Sequence, residues 1–429
     1  MLCSCQTRHV LATIVEKWNE YLDRLWVRIT VISVLCLLAV VTAPLVEPIL
    51  PERINTTLGT EALDGILSIV ASSMLAVVTF SLSVMVSVYR SASSQWTPRI
   101  HRLMLKDNTT QNTLATFVGA YIFALSSIIL LKTSLFQGEK QIVLLGYTIV
   151  ILILIIVAIV NWIVHLQNVG SLIDVTRRIE NDTLKTFEYR MSTPCLGGHP
   201  LADQSDIPVG AFAVEAGETG YVQKMLVSTI SSAADRHDID VYLHVPVGHF
   251  VHRGEILFYL SREHAKLSET VRKNITIGDL RSFEQDPRFG LIVLGEVGSK
   301  ALSPGINDAG TAIDVIGRMS RILESYRSEM DSADEDMSNP RIWVTPLAAS
   351  DLVEDGFDPI ARDGGGIIEV QLALQKSLAA LARHPDTTLA NAATEAAVRA
   401  FRRAEHQLEY HNDLERLKGA TPADVRSPS

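Results

Sequence analysis

Four long apolar runs precede residue 165, and none of that length follows it. They are Leu25–Val46, Ile66–Val88, about Thr113–Leu131 and about Ile142–Val164. Each has the roughly 20 residues that a helix needs to cross a hydrocarbon layer. Beyond them the pattern shortens. Leu172, Ile173, Val175, Ile179, Leu184 and Phe187 recur at helical spacing, so the fourth run is expected to continue as an amphipathic helix. Alternation at Val241, Leu243 and Val245 predicts a half-buried strand, and Ile342–Thr345 predicts another. Helices are expected over about Ala349–Ala361, Ile367–Arg383 and Thr388–Lys418. The last would bury Ala390, Ala393, Ala397, Ala400 and Leu408 and carry Arg399, Arg402, Arg403, Glu405 and Glu409 on a solvated, ion-paired face. Ser192–Asp206 reads as a linker, Ser328–Pro340 as a flexible acidic loop, and Thr421–Ser429 as disordered.

The second run differs from the others in its hydroxyls. At about 100° per residue, Ser68, Ser72, Thr79, Ser83 and Ser87 form one stripe, and Arg90 continues it. Leu75 and Val86 interrupt it. A hydroxylated face suits protein or water better than acyl chains. Two uses are open: close helix packing by small residues, which is the plainer one, and the lining of a pore.

Loop charge orients the runs. Arg90, Arg99, Arg102 and Lys106 follow the second run with only Asp107 opposing, whereas the loop after the first is acidic. The positive-inside rule then places the N-terminus, the second loop and everything beyond His165 in the cytoplasm; Lys132 and Lys140 are a mild contrary signal. Trp18, Tyr21, Trp26 and Trp96 are placed to sit at the interface. The first run is long, starts late and lacks a small-residue cleavage site, so no removable signal peptide is expected. After residue 165, roughly 27 Lys/Arg stand against 39 Asp/Glu, a balance that argues against non-specific nucleic-acid binding. Cys3, Cys5, Cys36 and Cys195 are too scattered for a disulfide framework or a zinc site. No nucleophile motif, catalytic carboxylate pair or phosphate-binding glycine loop is visible, and Gly364–Gly366 fits a helix entry. No enzyme activity, cofactor or metal is therefore expected.

Glu218–Gln223 opens a compact β-rich stretch, followed by a short helix over about Met225–Ala234. The glycine turns within Val245–Leu257 resemble the closing turns of barrel-sandwich modules such as biotinyl or lipoyl domains. Lys224-Met225 echoes a biotinylated lysine, but Ser231–Asp238 reads as helix and lacks the expected glycine turn, which speaks against carrier function. His249 and His252 read as solvent-facing turn residues.

The densest local signature is Arg281–Gly290 followed by Ala301–Asp308 and Thr311-Ala312. Asp286 can cap a helix with Pro287 at its first position, carrying Leu291, Leu294, Val297 and Leu302. Ser303-Pro304-Gly305 breaks it, and Asn307 or Asp308 caps the next, carrying Ile313, Ile316, Met319 and Ile322. The alternative to well-made caps is a ligand or cation site formed by Arg281, Gln285, Asp286, Asn307 and Asp308; capping weighs more, because most of these side chains have a capping task available.

Ser93–Arg99, Gly220–Gln223, Gln285–Gly290 and Ala301–Asp308 together resemble a bacterial family of predicted membrane proteins catalogued as a domain of unknown function. The resemblance runs from about Leu25 to about Glu415; Ala309 stands where that family usually has proline after the Asn-Asp pair. It implies a bacterial inner-membrane protein and no established activity.

The fold class expected is an α-helical membrane domain of four transmembrane helices, then a mixed α+β cytoplasmic domain with a small barrel-sandwich-like β unit and a helical C-terminal part. The divisions are a cytoplasmic N-terminus (1–24), membrane domain (25–165), juxtamembrane helix and linker (166–206), β-rich unit (207–275), helical domain (276–418) and tail (419–429). The expected partners are the lipid bilayer, further copies of the chain and a small ion or ligand. The expected function is an oligomeric channel or transport-like protein with a cytoplasmic regulatory domain, the alternative a membrane-anchored ligand sensor or scaffold without a conduit.

Overall fold

The computed structural model describes residues 25–46, 60–95, 97–100, 108–133, 140–168, 171–332 and 337–426. Cys3, Cys5, Trp18, Tyr21, Trp96, Arg102 and Lys106 lie outside the described residues. The chain divides into two compact units: residues 1–94 with 98–171, and residues 95–97 with 172–429.

In the first unit the apolar runs become helices α1 (Leu25–Val46), α2 (Thr60–Gln95), α3 (Asn108–Lys132) and α4 (Lys140–Asn168). Three of them, α2, α3 and α4, are long and apolar enough to cross a membrane; the described apolar stretch of α1, Trp26–Leu38, is shorter. At 36 residues, α2 is about 54 Å long, well beyond the run that predicted it. Gly119 of α3 lets α1 approach closely: a Cβ there would lie 2.5 Å from Ile32 Cγ2 and 3.5 Å from Cys36 Sγ. Arg28 donates to Asn112 Oδ1 at 2.8 Å, and Thr110 Oγ1 meets His165 Nε2 at 2.9 Å, so each bond ties α3 to a neighbouring helix. Leu67, Phe117, Phe123 and Leu144 are fully buried at the centre of this unit.

The second unit begins with α5 (Leu172–Ser192). Ser171 is not helical, so α5 is an element separate from α4. Ile179, Thr183 and Phe187 bury one face of it. The first part of the expected linker, through Leu201, is built into the core, whereas residues 202–206 are exposed. Pro194–Gly197 forms a tight turn with Cys195 and Leu196 in the left-handed region and both buried, and β1 (His199–Pro200) follows it. Then come β2 (Phe212–Glu215), β3 (Gly220–Met225), α6 (Val227–His237), β4 (Val241–Leu243), β5 (Phe250–Val251), β6 (Ile256–Leu260), α7 (Ala265–Lys273) and β7 (Ile275–Gly278). The helical part comprises α8 (Pro287–Ala301), α9 (Ala309–Leu323), the short α10 (Glu329–Ser332), then β8 (Ile342–Val344), α11 (Ala349–Asp363), α12 (Ile368–Leu381), α13 (Thr387–Gln407), α14 (His411–Ala420) and α15 (Ala423–Arg426).

The strands form two sheets, one of order β1-β8-β4-β6-β2 and one of order β5-β3-β7. In the larger, β8 lies parallel to both β1 and β4, and β6 is antiparallel to β4 and β2. The region is thus mixed α/β. Residues 207–275 do not close a unit by themselves, because β1 and β8 complete the larger sheet from outside that range. Gly248 and Gly254, both at φ +89°, make the tight turns their sequence predicted. Lys224 pairs with Thr276 within β3–β7 and salt-bridges Glu284 at 3.2 Å, a position unlike the exposed turn a carrier lysine needs. His249 and His252 are exposed.

β4 is buried on both faces, not half-buried. Val241 and Leu243 enter the core, while Tyr242 stacks on Trp343 with centroids 4.9 Å apart, and Trp343 on His199 at 4.6 Å. The rings occupy matched positions in β4, β8 and β1, so the row is a cross-strand stack.

Three other expectations need correction. The long C-terminal helix is broken at Leu408–Tyr410, where Leu408 and Tyr410 are extended. Arg399 is ion-paired as expected, but with α11, reaching Glu354 at 3.1 Å and Asp358 at 3.4 Å, so it packs between helices and is not part of a solvated face. The tail keeps structure to Arg426, with Thr421 and Val425 buried.

Candidate functional site

The six stripe residues of α2 (Ser68, Ser72, Thr79, Ser83, Ser87 and Arg90) are all exposed in the single chain. The packed side of the same helix is Leu63, Leu67, Val70, Met74 and Ser81. At about 100° per residue these two sets lie on opposite sides of the helix. The stripe therefore faces away from the neighbours within this unit. Ser72 Oγ donates to Ser68 O at 2.9 Å, Thr79 Oγ1 to Ala76 O at 2.9 Å, and Ser83 Oγ to Thr79 O at 2.9 Å. These bonds use the protons and leave acceptor lone pairs outward. Leu75 and Val86, which interrupt the stripe, are exposed as well.

The second candidate set does not form one site. Arg281 grips Asp286 through Nε at 2.7 Å and Nη2 at 2.9 Å, and Asp286 Oδ1 accepts from Phe289 N at 3.1 Å as the cap of α8. The turn at Gly248 closes over the pair: a Cβ there would sit 2.2 Å from Asp286 Oδ2. Burial pushes the Asp286 carboxyl up, against the pull of Arg281 and the Phe289 amide. Gln285 braces β3, accepting from Met225 N at 2.8 Å and donating to Met225 O at 3.2 Å. Asp308 caps α9 through Thr311 N at 3.0 Å, and bonds from Thr311 hold its carboxyl below the ordinary value. Asn307 is exposed in the left-handed region at φ +52°, completing the turn. Asp286 begins α8 and Asn307 and Asp308 follow its end; those 15 helical residues span about 22 Å, too far for one small ligand. Of the five, Asp286 and Asp308 cap helices, Arg281 holds Asp286, Gln285 braces β3 and Asn307 completes a turn.

Sequence reasoning missed the charges that hold α5. Glu180 is buried and accepts from the guanidinium groups of Arg318 and Arg321 on α9, while Arg318 Nε also reaches Asp314 at 2.6 Å. Near the C-terminal end of α5, buried Arg190 pairs with buried Glu329, whose Oε2 also accepts from Leu347 N at 2.7 Å. Glu329 thus lies in the core, not in a flexible loop. Burial, with Glu329 beside it, pushes the Cys195 thiol up to about 12 and keeps it protonated and unreactive. A charged residue recurring on the apolar face of a predicted helix, as Glu180 does between Ile179 and Thr183, was the available signal.

Asp386 shows how much one cap contributes. Its carboxylate accepts from Ser328 N at 2.6 Å and from Thr388 N at 2.9 Å at the start of α13. Burial works to raise its pKa, but bonds from Thr388, Ser328 and Leu389 outweigh it, so the folded value lies below the ordinary one. Its stabilisation is therefore present above the ordinary carboxyl pKa, about 4, and is lost as pH falls through the depressed folded value. Asp386→Ala should destabilise by about 1–2 kcal/mol near pH 7. Melts of both proteins should converge as the pH falls below about 4; a constant gap would contradict the ionised cap.

Among the described residues, no group of three or more His, Cys, Asp or Glu could hold a metal ion. Long apolar helices joined to a mixed α/β globular unit define a membrane protein. The chain belongs to the family described as "Predicted membrane protein (DUF2254)", whose model matches residues 23–380. Uncharacterised proteins of Mycobacterium bovis and Mycobacterium tuberculosis are 23% identical over 332 residues. The match takes in 75% of this chain and 64% of each relative, so the chain spans less than two thirds of their length. No solved structure matches the chain.

Proposed function

We propose that the protein is a homo-oligomer of the bacterial inner membrane in which the α2 helices of several copies surround a hydroxyl-faced conduit. In this reading α1 is the fourth span, and the globular unit regulates the conduit from the cytoplasm without enzymatic chemistry. The supporting observation is the outward stripe of α2, opposite the face that packs within the chain. Left to a single copy, that face would set five hydroxyls against acyl chains; further copies would cover it or enclose water with it. Exposed Leu75 and Val86 would form a hydrophobic constriction, and Arg90 would bias the cytoplasmic mouth toward anions. Purified protein in liposomes should pass chloride faster than potassium. Arg90→Gln should reduce that preference roughly three- to ten-fold, since one charge per copy leaves the mouth. A well-folded oligomer that passes neither ion would overturn the proposal.

The second reading, an anchored sensor or scaffold, draws support from the bonds that Ser72, Thr79 and Ser83 make within their own helix. Hydroxyls with satisfied protons suit a dry contact between copies. Disulfide capture through Ser83→Cys without any ion flux would favour it.

A further inference from the structure

A cavity of about 580 Å³ opens in the globular unit between the end of α9 and the start of α13. Its volume lies in the range of small-molecule sites, roughly 300–1,000 Å³. Glu324, Tyr326 and Arg327 line one side and His384, Asp386 and Thr387 the other. Most of the polar groups are already engaged. His384 Nε2 lies 3.1 Å from Glu324 O and its Nδ1 accepts from Asp386 N at 3.1 Å, so both ring nitrogens are engaged. The Asp386 carboxylate is the α13 cap, and the Tyr326 hydroxyl donates to Leu347 O at 3.3 Å. Two charged groups remain. Neither the exposed Arg327 guanidinium nor the exposed Glu324 carboxylate has an ion pair or side-chain hydrogen bond among the described residues, and the two do not pair with each other.

The charges of this wall select a ligand class. A plain anion would pair with Arg327 but meet Glu324 and the fixed Asp386 charge. A plain cation would pair with Glu324 and leave the guanidinium unmet. We propose that the cavity binds a small zwitterion of the amino-acid class, its carboxylate on Arg327 and its ammonium on Glu324, with the Tyr326 and His384 rings and Thr387 bounding the side chain. Both partners would then be charge-assisted pairs, the stronger kind of hydrogen bond. This assignment stands whether or not the membrane helices conduct, because every residue in it belongs to the globular unit.

The test is calorimetric titration of the full-length protein in detergent with each standard L-amino acid. Acetate, methylammonium and inorganic phosphate serve as single-charge probes. At least one amino acid should bind saturably, with Kd on the order of 0.1 mM, while the single-charge probes do not. Arg327→Met and Glu324→Gln should each weaken that binding about ten-fold or more. Both side chains are exposed, and unchanged melting temperatures will show that the variants fold. Failure of every amino acid to bind the folded protein overturns the proposal. So does amino-acid binding that both variants leave unchanged. Binding of phosphate or acetate in preference to amino acids replaces it with a simple anion site.

Discussion

Glu180→Ala is expected to destabilise the protein by about 3–5 kcal/mol, the cost of leaving a buried charge without its partner. Glu180 receives two arginines, and Arg318 is itself buried. Without the carboxylate, Arg318 keeps only Asp314, half-exposed on its own helix. Chemical denaturation of the purified protein gives the number. Arg321→Gln is the internal comparison: Arg321 is largely exposed, so its loss should cost below about 1 kcal/mol. If Glu180→Ala melted within about 0.5 kcal/mol of the parent, α5 would not be held by this charge.

Gly295→Ala should cost about 2–4 kcal/mol for a different reason. The added Cβ would lie 2.6 Å from Gly356 O and 3.2 Å from Asp355 O. Both neighbours are backbone of α11, so no rotamer change relieves the clash; one helix must move. The same substitution at Gly317, on α9, meets nothing within 4 Å. There alanine should stabilise by up to about 1 kcal/mol, since a helical glycine gives up more backbone entropy on folding. Opposite signs for the two variants in one unfolding series would confirm a close crossing of α8 and α11. Equal effects would refute it.

Gly295, with Gly290 before it on α8, also shows where sequence reasoning stops. Helix positions along α8 were legible because Leu291, Leu294 and Val297 recur at helical spacing and Asp286-Pro287 marks the start. Gly290 and Gly295 carry no such signal. Their meaning lies in Thr183 and Gly356, which come to them from other elements of the fold. The two glycine turns after β4 were legible for the opposite reason, since φ is a property of the residue itself. β1 escaped notice because two residues have no periodicity, and its pairing with β8 is made across a long separation in sequence. The break at Leu408 has no glycine or proline to announce it. The hydroxyl stripe was visible from its spacing alone, but its direction depends on which side of α2 the other helices take. Asp286 and Asp308 are the caps their positions suggested, and that they lie at opposite ends of α8 follows once the helix is drawn to length.

The charge pairs at the middle and the C-terminal end of α5 bear on how this polypeptide can be dissected. By position, residues 172–192 look like an appendage of the last apolar helix, and a biochemist seeking a water-soluble piece would trim them. Such a cut would strip Glu180 from Arg318 and Arg190 from Glu329. The severed remainder would leave Glu329 without its arginine, Arg318 with Asp314 alone, and an uncovered groove where Phe187 had been. A fragment meant to fold should start at or before Leu172.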